Sequence, residues 1–404
     1  MPSSLREKAP LYLAGAAAVT AVVSIVASEV FLGAGLLSIL FTTGKSRWPA
    51  ALTAPVALWI TWTLLSLAAS GHARAGFPQV KKFIWFAMLF VVFSGVRKVS
   101  EIRGIVLGWA FAAALSAAWG MEQFVRKYHA AKLLNRDFYL YYLPNRITGF
   151  MAHWMTLSGH MMMALMLIGA LLLLSHQTRN KWWLAIAGFL AALGLLGADV
   201  RSMWGGAAAG AIYLLWLRNR WLVALVPVLA GLVILVNPYK FGDRMISIVH
   251  PHSGDTDSNE HRVVLRRIGW EMIKAHPLLG VGPEQVGPQH ENYIPADVAR
   301  PLPTGYYDHL HNIYYHFAAE RGLPALAALL WFFFRALYDF SQGVRRLPAN
   351  SEARWILHGA IAVIIAFMCG GYFEVNFGDS EVQAMFLATI ACGYVALEAT
   401  PKAA

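Results

Sequence analysis

His309 and His311 follow Asp308 at the point where a long polar stretch gives way to apolar sequence. A histidine with a reference pKa near 6.5 can take a proton from a hydroxyl and return it at neutral pH. A helix cap or a structural histidine is the plainer alternative. Arg262 and Arg266 are four residues apart, so on a helix they share one face. Such a pair is either a solvated basic face touching lipid head groups or a clamp for phosphate, which the planar guanidinium binds in two-pronged fashion. Arg267 points elsewhere. Arg201 follows Asp199 between two strongly apolar runs, beside Gly205 and Gly206. An ionisable residue there is a functional candidate, against a snorkelling arginine or a local pair with Asp199. Lys81 and Lys82 open another apolar run. Two lysines at a helix start oppose its dipole, so an anion nearby or ordinary head-group contact would explain them.

Other chemistry is harder to find. The His-x-His pair with Asp308 would permit a metal site, with His250, His252 and His261 as further ligands. No spacing among them is a metal signature, and the reading carries no metal and no cofactor. No Gly-rich phosphate loop and no Gly-x-Ser-x-Gly element is present. Asp308 and Glu320 are the nearest thing to a hydrolytic carboxylate pair.

The elements that position these residues follow from composition. Of 404 residues, 58% are hydrophobic and 14% charged, with a net charge of +11. An average soluble domain carries about 25% charged residues, so an ordinary soluble enzyme is excluded, as is disorder. Cys369 and Cys392 lie in apolar runs and build neither a disulfide scaffold nor a four-thiolate zinc site.

A membrane-crossing helix needs roughly 20 mostly apolar residues. Twelve candidates occur, at 11–26, 28–43, 49–69, 80–96, 102–123, 154–175, 182–198, 202–217, 221–236, 311–336, 355–374 and 381–398. The first two share one apolar run and read as a tight hairpin or one long tilted helix. Arg6 and Lys8 precede them with no cleavage signature after the apolar stretch, so the first reads as an uncleaved span. With the N-terminus inside, the inner segments hold 16 Lys or Arg against 5 acids, while the outer ones hold 17 of each. The +11 therefore sets topology under the positive-inside rule and implies no nucleic-acid partner.

The expected architecture is an all-α polytopic membrane protein with about twelve transmembrane helices. Residues 1–236 carry helices one to nine, 237–310 form a large, partly helical periplasmic loop, and 311–404 hold the last three helices and a short tail. Asp257 and Glu260 have capping-box spacing before an amphipathic helix at about 258–276, stopped by Pro277. Gly280-Val281-Gly282-Pro283 makes a turn, and 283–307 read as irregular. A smaller outer insertion covers about 124–153.

These residues resemble a family. His311-Asn312-Ile313-Tyr314-Tyr315 leads through Glu320-Arg321 to Gly322, and a histidine, ten residues, then glycine is similar to the hallmark of bacterial O-antigen ligases. Arg262 heads a helix ending in His276-Pro277-Leu278-Leu279-Gly280-Val281-Gly282. That resembles the arginine-led helix and "PLLGVG" turn of the wider ligase/polymerase superfamily, as Val200-Arg201-Ser202 resembles its arginine before a Gly-rich span. One departure is Arg266, where the family often has Trp or Leu.

The resemblance implies a membrane glycosyltransferase of the multi-span C type, working without a metal. It would move polysaccharide from undecaprenyl diphosphate to a sugar hydroxyl on the lipid A core, at the periplasmic side of the bacterial inner membrane. Its partners would be the undecaprenyl-diphosphate-linked polysaccharide, the lipid A core oligosaccharide and membrane lipids. Arg201 and Arg262, with Arg266 and Lys81, would hold the donor diphosphate. His311 would be the base, with Asp308 or Asn312 orienting it and His309 beside it. An O-antigen polymerase and a protein O-oligosaccharide ligase share the superfamily. A transporter of anionic lipid, the reading from another class, would need polar or broken helices at the bilayer midplane, where these runs are Ala, Leu, Val and Trp.

Overall fold

The computed structural model describes residues 3–41, 46–177, 181–249 and 259–398. Every element among them is helical. Asp257, His250, His252, Lys45, Arg179, Lys402 and the end of the second predicted span lie outside the described residues.

The apolar run at the N-terminus is a hairpin. Helix α1 (Ser3–Thr20) and α2 (Ile25–Leu40) are separated by a turn, and the Ser24 side chain caps α2 by accepting from the Ala27 N–H. Then come α3 (Thr53–Ala69) and α4 (Ala73–Lys81), which runs through a tight turn at Lys82–Phe86 into α5 (Ala87–Gly95). Lys81 and Lys82 thus sit mid-run rather than at a helix start. Helix α6 (Val99–Leu133) has 35 residues, roughly 52 Å at 1.5 Å per residue. That exceeds a hydrocarbon core of about 30 Å, so the first ten residues of the predicted 124–153 insertion are a helical extension.

Helix α7 (Phe138–Tyr142) completes that insertion. Next are α8 (Trp154–Leu174), α9 (Lys181–Gly197), α10 (Arg201–Arg218) and α11 (Leu225–Val236). The large insertion holds α12 (Phe241–Val249), α13 (Asn259–Ala275) and α14 (Val286–Gln289). The predicted tenth span, 311–336, is not continuous. It is α15 (Ile313–Arg321) and α16 (Leu323–Arg346), broken at Gly322, whose φ is +86°. Helices α17 (Ala353–Gly371) and α18 (Ser380–Glu398) close the chain.

Seven helical stretches among the described residues are long and apolar enough to cross a membrane, and three further apolar helices are shorter. The chain is a multi-pass helical membrane protein. Small residues set its tightest packing. On α10, a Cβ at Gly206 would stand 2.4 Å from the Ala366 carbonyl, and one at Gly210 would stand 2.9 Å from that of Ala362. The pairing 206–366 and 210–362 makes α10 and α17 antiparallel neighbours at backbone contact, as small residues four apart allow between membrane helices.

The two ends of the bundle are distinct. Both insertions meet at one end, where Phe124 and Phe138 each lie 5.2 Å from Tyr239 between ring centroids, and Lys240 pairs with Asp137 at 3.2 Å. At the other end Arg103 pairs with Glu352 at 2.5 Å, and Glu352 also accepts from the Ser175 hydroxyl. Segments expected on one face are therefore gathered at one end.

Candidate active site

His311 stands just before α15 in a left-handed backbone conformation, φ +45°. A non-glycine residue there is uncommon and persists only where its surroundings enforce it. Asn312 supplies that enforcement. Its side-chain oxygen caps α15 by accepting from the N–H groups of Tyr314 and Tyr315, and its Nδ2 donates to the Tyr372 carbonyl at 2.7 Å. The residue before α15 is thus tied to the loop after α17.

That loop carries the residue the sequence reading missed. Glu374 is buried, and both its oxygens face His311 Nδ1, at 3.2 and 3.3 Å. The carboxylate on His311 Nδ1 is therefore Glu374, and not Asp308. Asp308 turns instead toward Gly287, where a Cβ would stand 2.6 Å from its Oδ1. His311 Nε2 is buried without a hydrogen-bond partner among the described residues. A neutral imidazole whose Nδ1–H is held by a carboxylate presents Nε2 as an acceptor. The signal for Glu374 was present in the sequence: an ionisable residue at the very end of an apolar run.

Arg262, on the first turns of α13, places Nη2 3.7 Å from Glu374 Oε2. His309 accepts the His311 backbone N–H at 3.3 Å, and its ring centroid lies 4.1 Å from that of His311. The His261 ring stands edge-on to His311 at 5.3 Å. Burial opposes ionisation of Glu374. The hydrogen bond and electrostatic interaction with His311, followed by those with His309 and Arg262, outweigh it and hold the carboxyl at about 2. Burial, followed by the electrostatic effect of neighbouring His311, pushes His309 down to about 3, so it is neutral at physiological pH.

His309, His311 and Glu374 could hold a metal ion by geometry, since one ligand atom from each lies within 4.8 Å of the others. The donor set argues against it, because the Arg262 guanidinium already faces the carboxylate and would repel a cation.

The other predicted residues divide. Arg201 opens α10 and is buried. Met203, in the same first turn, packs on α17 just before Glu374, where a Cβ at Gly370 would meet its Cε at 2.9 Å. Asp199 pairs with Arg146 at 3.4 Å. Arg266 is exposed one turn beyond Arg262, and Arg267 pairs with Asp297. Lys81 is exposed, its Nζ over the Phe77 ring at 5.6 Å. Lys82 is the lysine that reaches the loop after α17, donating to the Gly378 carbonyl at 2.6 Å.

The glycine motif supports the site without touching it. The Val281 and Gly282 N–H groups donate to the carbonyls of Ala319 and Glu320, both at 2.8 Å, and the Leu323 N–H donates to the Pro277 carbonyl at 2.8 Å. A Cβ at Gly322 would stand 1.9 Å from the Leu278 carbonyl oxygen. The turn 277–282 is thereby clamped against the break between α15 and α16. Glu320 lies beneath it, bound to Arg321 Nε at 2.8 Å and to the Glu284 N–H at 2.8 Å. It is consumed in this structural pair and forms no hydrolytic pair with Asp308.

A multi-pass helical protein with a buried carboxylate–histidine pair and arginine at one end of the bundle is the class defined by this geometry. Residues 186–330 match a family model described as O-antigen ligase, which supports a member of the O-antigen ligase/polymerase superfamily. The matched stretch contains Arg201, Arg262, Arg266, His309 and His311; Glu374 and Lys81 lie outside it. No curated protein matches the chain.

Proposed function

We propose that the chain is an O-antigen ligase, transferring polysaccharide from undecaprenyl diphosphate to a sugar hydroxyl of the lipid A core at the periplasmic face of a bacterial inner membrane. The observation that carries this reading is the His311–Glu374 pair, with Nε2 unpartnered and Arg262 adjacent.

In this mechanism His311 Nε2 takes the proton of the acceptor hydroxyl as its oxygen attacks the anomeric carbon. The bond from that carbon to the donor diphosphate breaks, and the diphosphate leaves with the electron pair. Glu374 holds the ring and stabilises the imidazolium that forms. Arg262 and Arg201, with Arg266 at the exposed edge, neutralise the departing diphosphate, an electrostatic role that is often the largest part of catalysis. A diphosphate so neutralised leaves without a general acid. Single displacement inverts the anomeric configuration, and a product that retains it would exclude this route.

The acceptor separates ligase from polymerase. Purified protein is given undecaprenyl-diphosphate-linked glycan with lipid A core. Glycan joined to the lipid A core is the expected product. Longer undecaprenyl-linked chains with no core product would make the protein a polymerase.

A further inference from the structure

The end of the bundle remote from His311 holds a cavity of about 410 Å³ between the ends of α8, α9, α10 and α17. His176, Lys181, Arg218, Arg354 and His358 line it, with leucine side chains from α8 and α10 as its apolar wall. No Asp or Glu is among the described lining residues. The acid on these segments, Glu352, is taken up by Arg103, by the Ser175 hydroxyl and by the N–H groups of His176 and Gln177. Arg354 is fixed at the wall by donating to the carbonyls of Val344 and Leu347, at 2.8 and 3.0 Å. His358 is fixed by Tyr213, Oη to Nδ1 2.8 Å.

We propose that this cavity binds the phosphate of an anionic lipid head group, with the acyl chains on the leucine wall. Three cations, Arg354 among them held in place, and two histidines around a space with no described acid recognise phosphate. A basic pocket between membrane helices, at the level where apolar helix gives way to polar ends, is where an anionic lipid places it. The nineteen residues of α17 span roughly 28 Å, from Arg354 at this cavity to the loop bearing Glu374. The cavity is therefore one membrane thickness from the catalytic candidate and is not part of it. The inference rests on the multi-pass architecture and stands whichever acceptor the enzyme uses.

The test uses the purified full chain titrated with cardiolipin and with phosphatidylcholine, followed by native mass spectrometry. Lys181 and Arg218 are exposed at helix ends, so Lys181→Ala with Arg218→Ala leaves the fold in place. Removing a cation near a lipid surface should weaken binding roughly five-fold, and removing the pair roughly thirty-fold. The expected result is cardiolipin retained by the native protein, phosphatidylcholine not retained, and cardiolipin lost from the double variant. Arg345→Ala with Arg346→Ala, on exposed residues outside the cavity, should leave binding unchanged. Equal losses in both double variants would overturn the site in favour of general surface charge. Displacement of the lipid by millimolar inorganic phosphate or ATP would overturn the lipid as the source of the phosphate.

Discussion

His311 and Glu374 are 63 residues apart in the chain and 3.2 Å apart in the fold, and both are buried. Asn312 makes the junction by capping α15 while holding the Tyr372 carbonyl. The catalytic proposal rests on this meeting of two loops.

Replacing Glu374 should therefore cost activity without touching the donor arginines. Glu374→Ala frees the imidazole, and mispositioning of about 1 Å costs on the order of a hundred-fold. Glu374→Gln keeps a partner for Nδ1 and should fall between Ala and the native protein. The ionised carboxylate also stabilises the fold. Its value is depressed from 4.5 to about 2, so the contribution is fully present above 4.5 and is lost as pH falls toward 2. Thermal midpoints measured between pH 7 and 3 should drop on the acid side less steeply for Glu374→Gln. An unchanged slope would remove Glu374 from this role.

The arginines should not be equivalent. Arg262 is half-buried against Glu374, and Arg266 is exposed. A charge-assisted hydrogen bond is worth about 1.5–3 kcal/mol, so Arg262→Ala should slow transfer about 10- to 150-fold. Arg266→Ala should cost less than about ten-fold. Initial rates at saturating donor decide this, and a reversed order would move the diphosphate outward along α13.

Much of this was legible in the sequence, for physical reasons that can be named. Apolar runs must be long to cross a bilayer, so helices such as α8, α9, α10 and α18 fall within a residue or so of their expected bounds, whereas α1, α4, α6 and α16 depart from theirs by six residues or more at one end. His311, Arg262 and Arg201 were visible because charge and imidazole are rare beside such runs. Glu374 was not picked out, because its partner lies across a fold and pairing over 63 residues has no local period. The 311–336 stretch read as one span because hydrophobicity does not register a broken backbone. Gly322 was seen as part of a motif, while its contact with Leu278 exists only in three dimensions. The sequence reading names Lys81 of the two adjacent lysines, but a helix turn decides which one faces the loop, and that is Lys82.

Gly322→Ala should be structural in effect. At φ +86° and ψ 166° Gly322 holds a conformation essentially reserved for glycine, which costs another residue roughly 1–3 kcal/mol, and the Cβ would also stand 1.9 Å from the Leu278 carbonyl. Lower thermal stability and lower yield of folded protein are expected. A variant as stable as the native chain would show that the clamp between 277–282 and the α15–α16 break is dispensable.

Chelation should leave the reaction running. His309, His311 and Glu374 are close enough to hold a cation, but the mechanism engages His311 and Glu374 with each other. Transfer rates with and without EDTA should agree within about two-fold. A large loss restored by a divalent ion would turn the trio into a metal centre and displace His311 as base.

The most direct test is the transfer reaction itself, run with native protein and His311→Ala on undecaprenyl-diphosphate-linked glycan and lipid A core. General base catalysis is worth about a hundred- to ten-thousand-fold. The account predicts a loss of that size in His311→Ala, with the variant still folded and still binding donor. Transfer at the native rate in His311→Ala would contradict it.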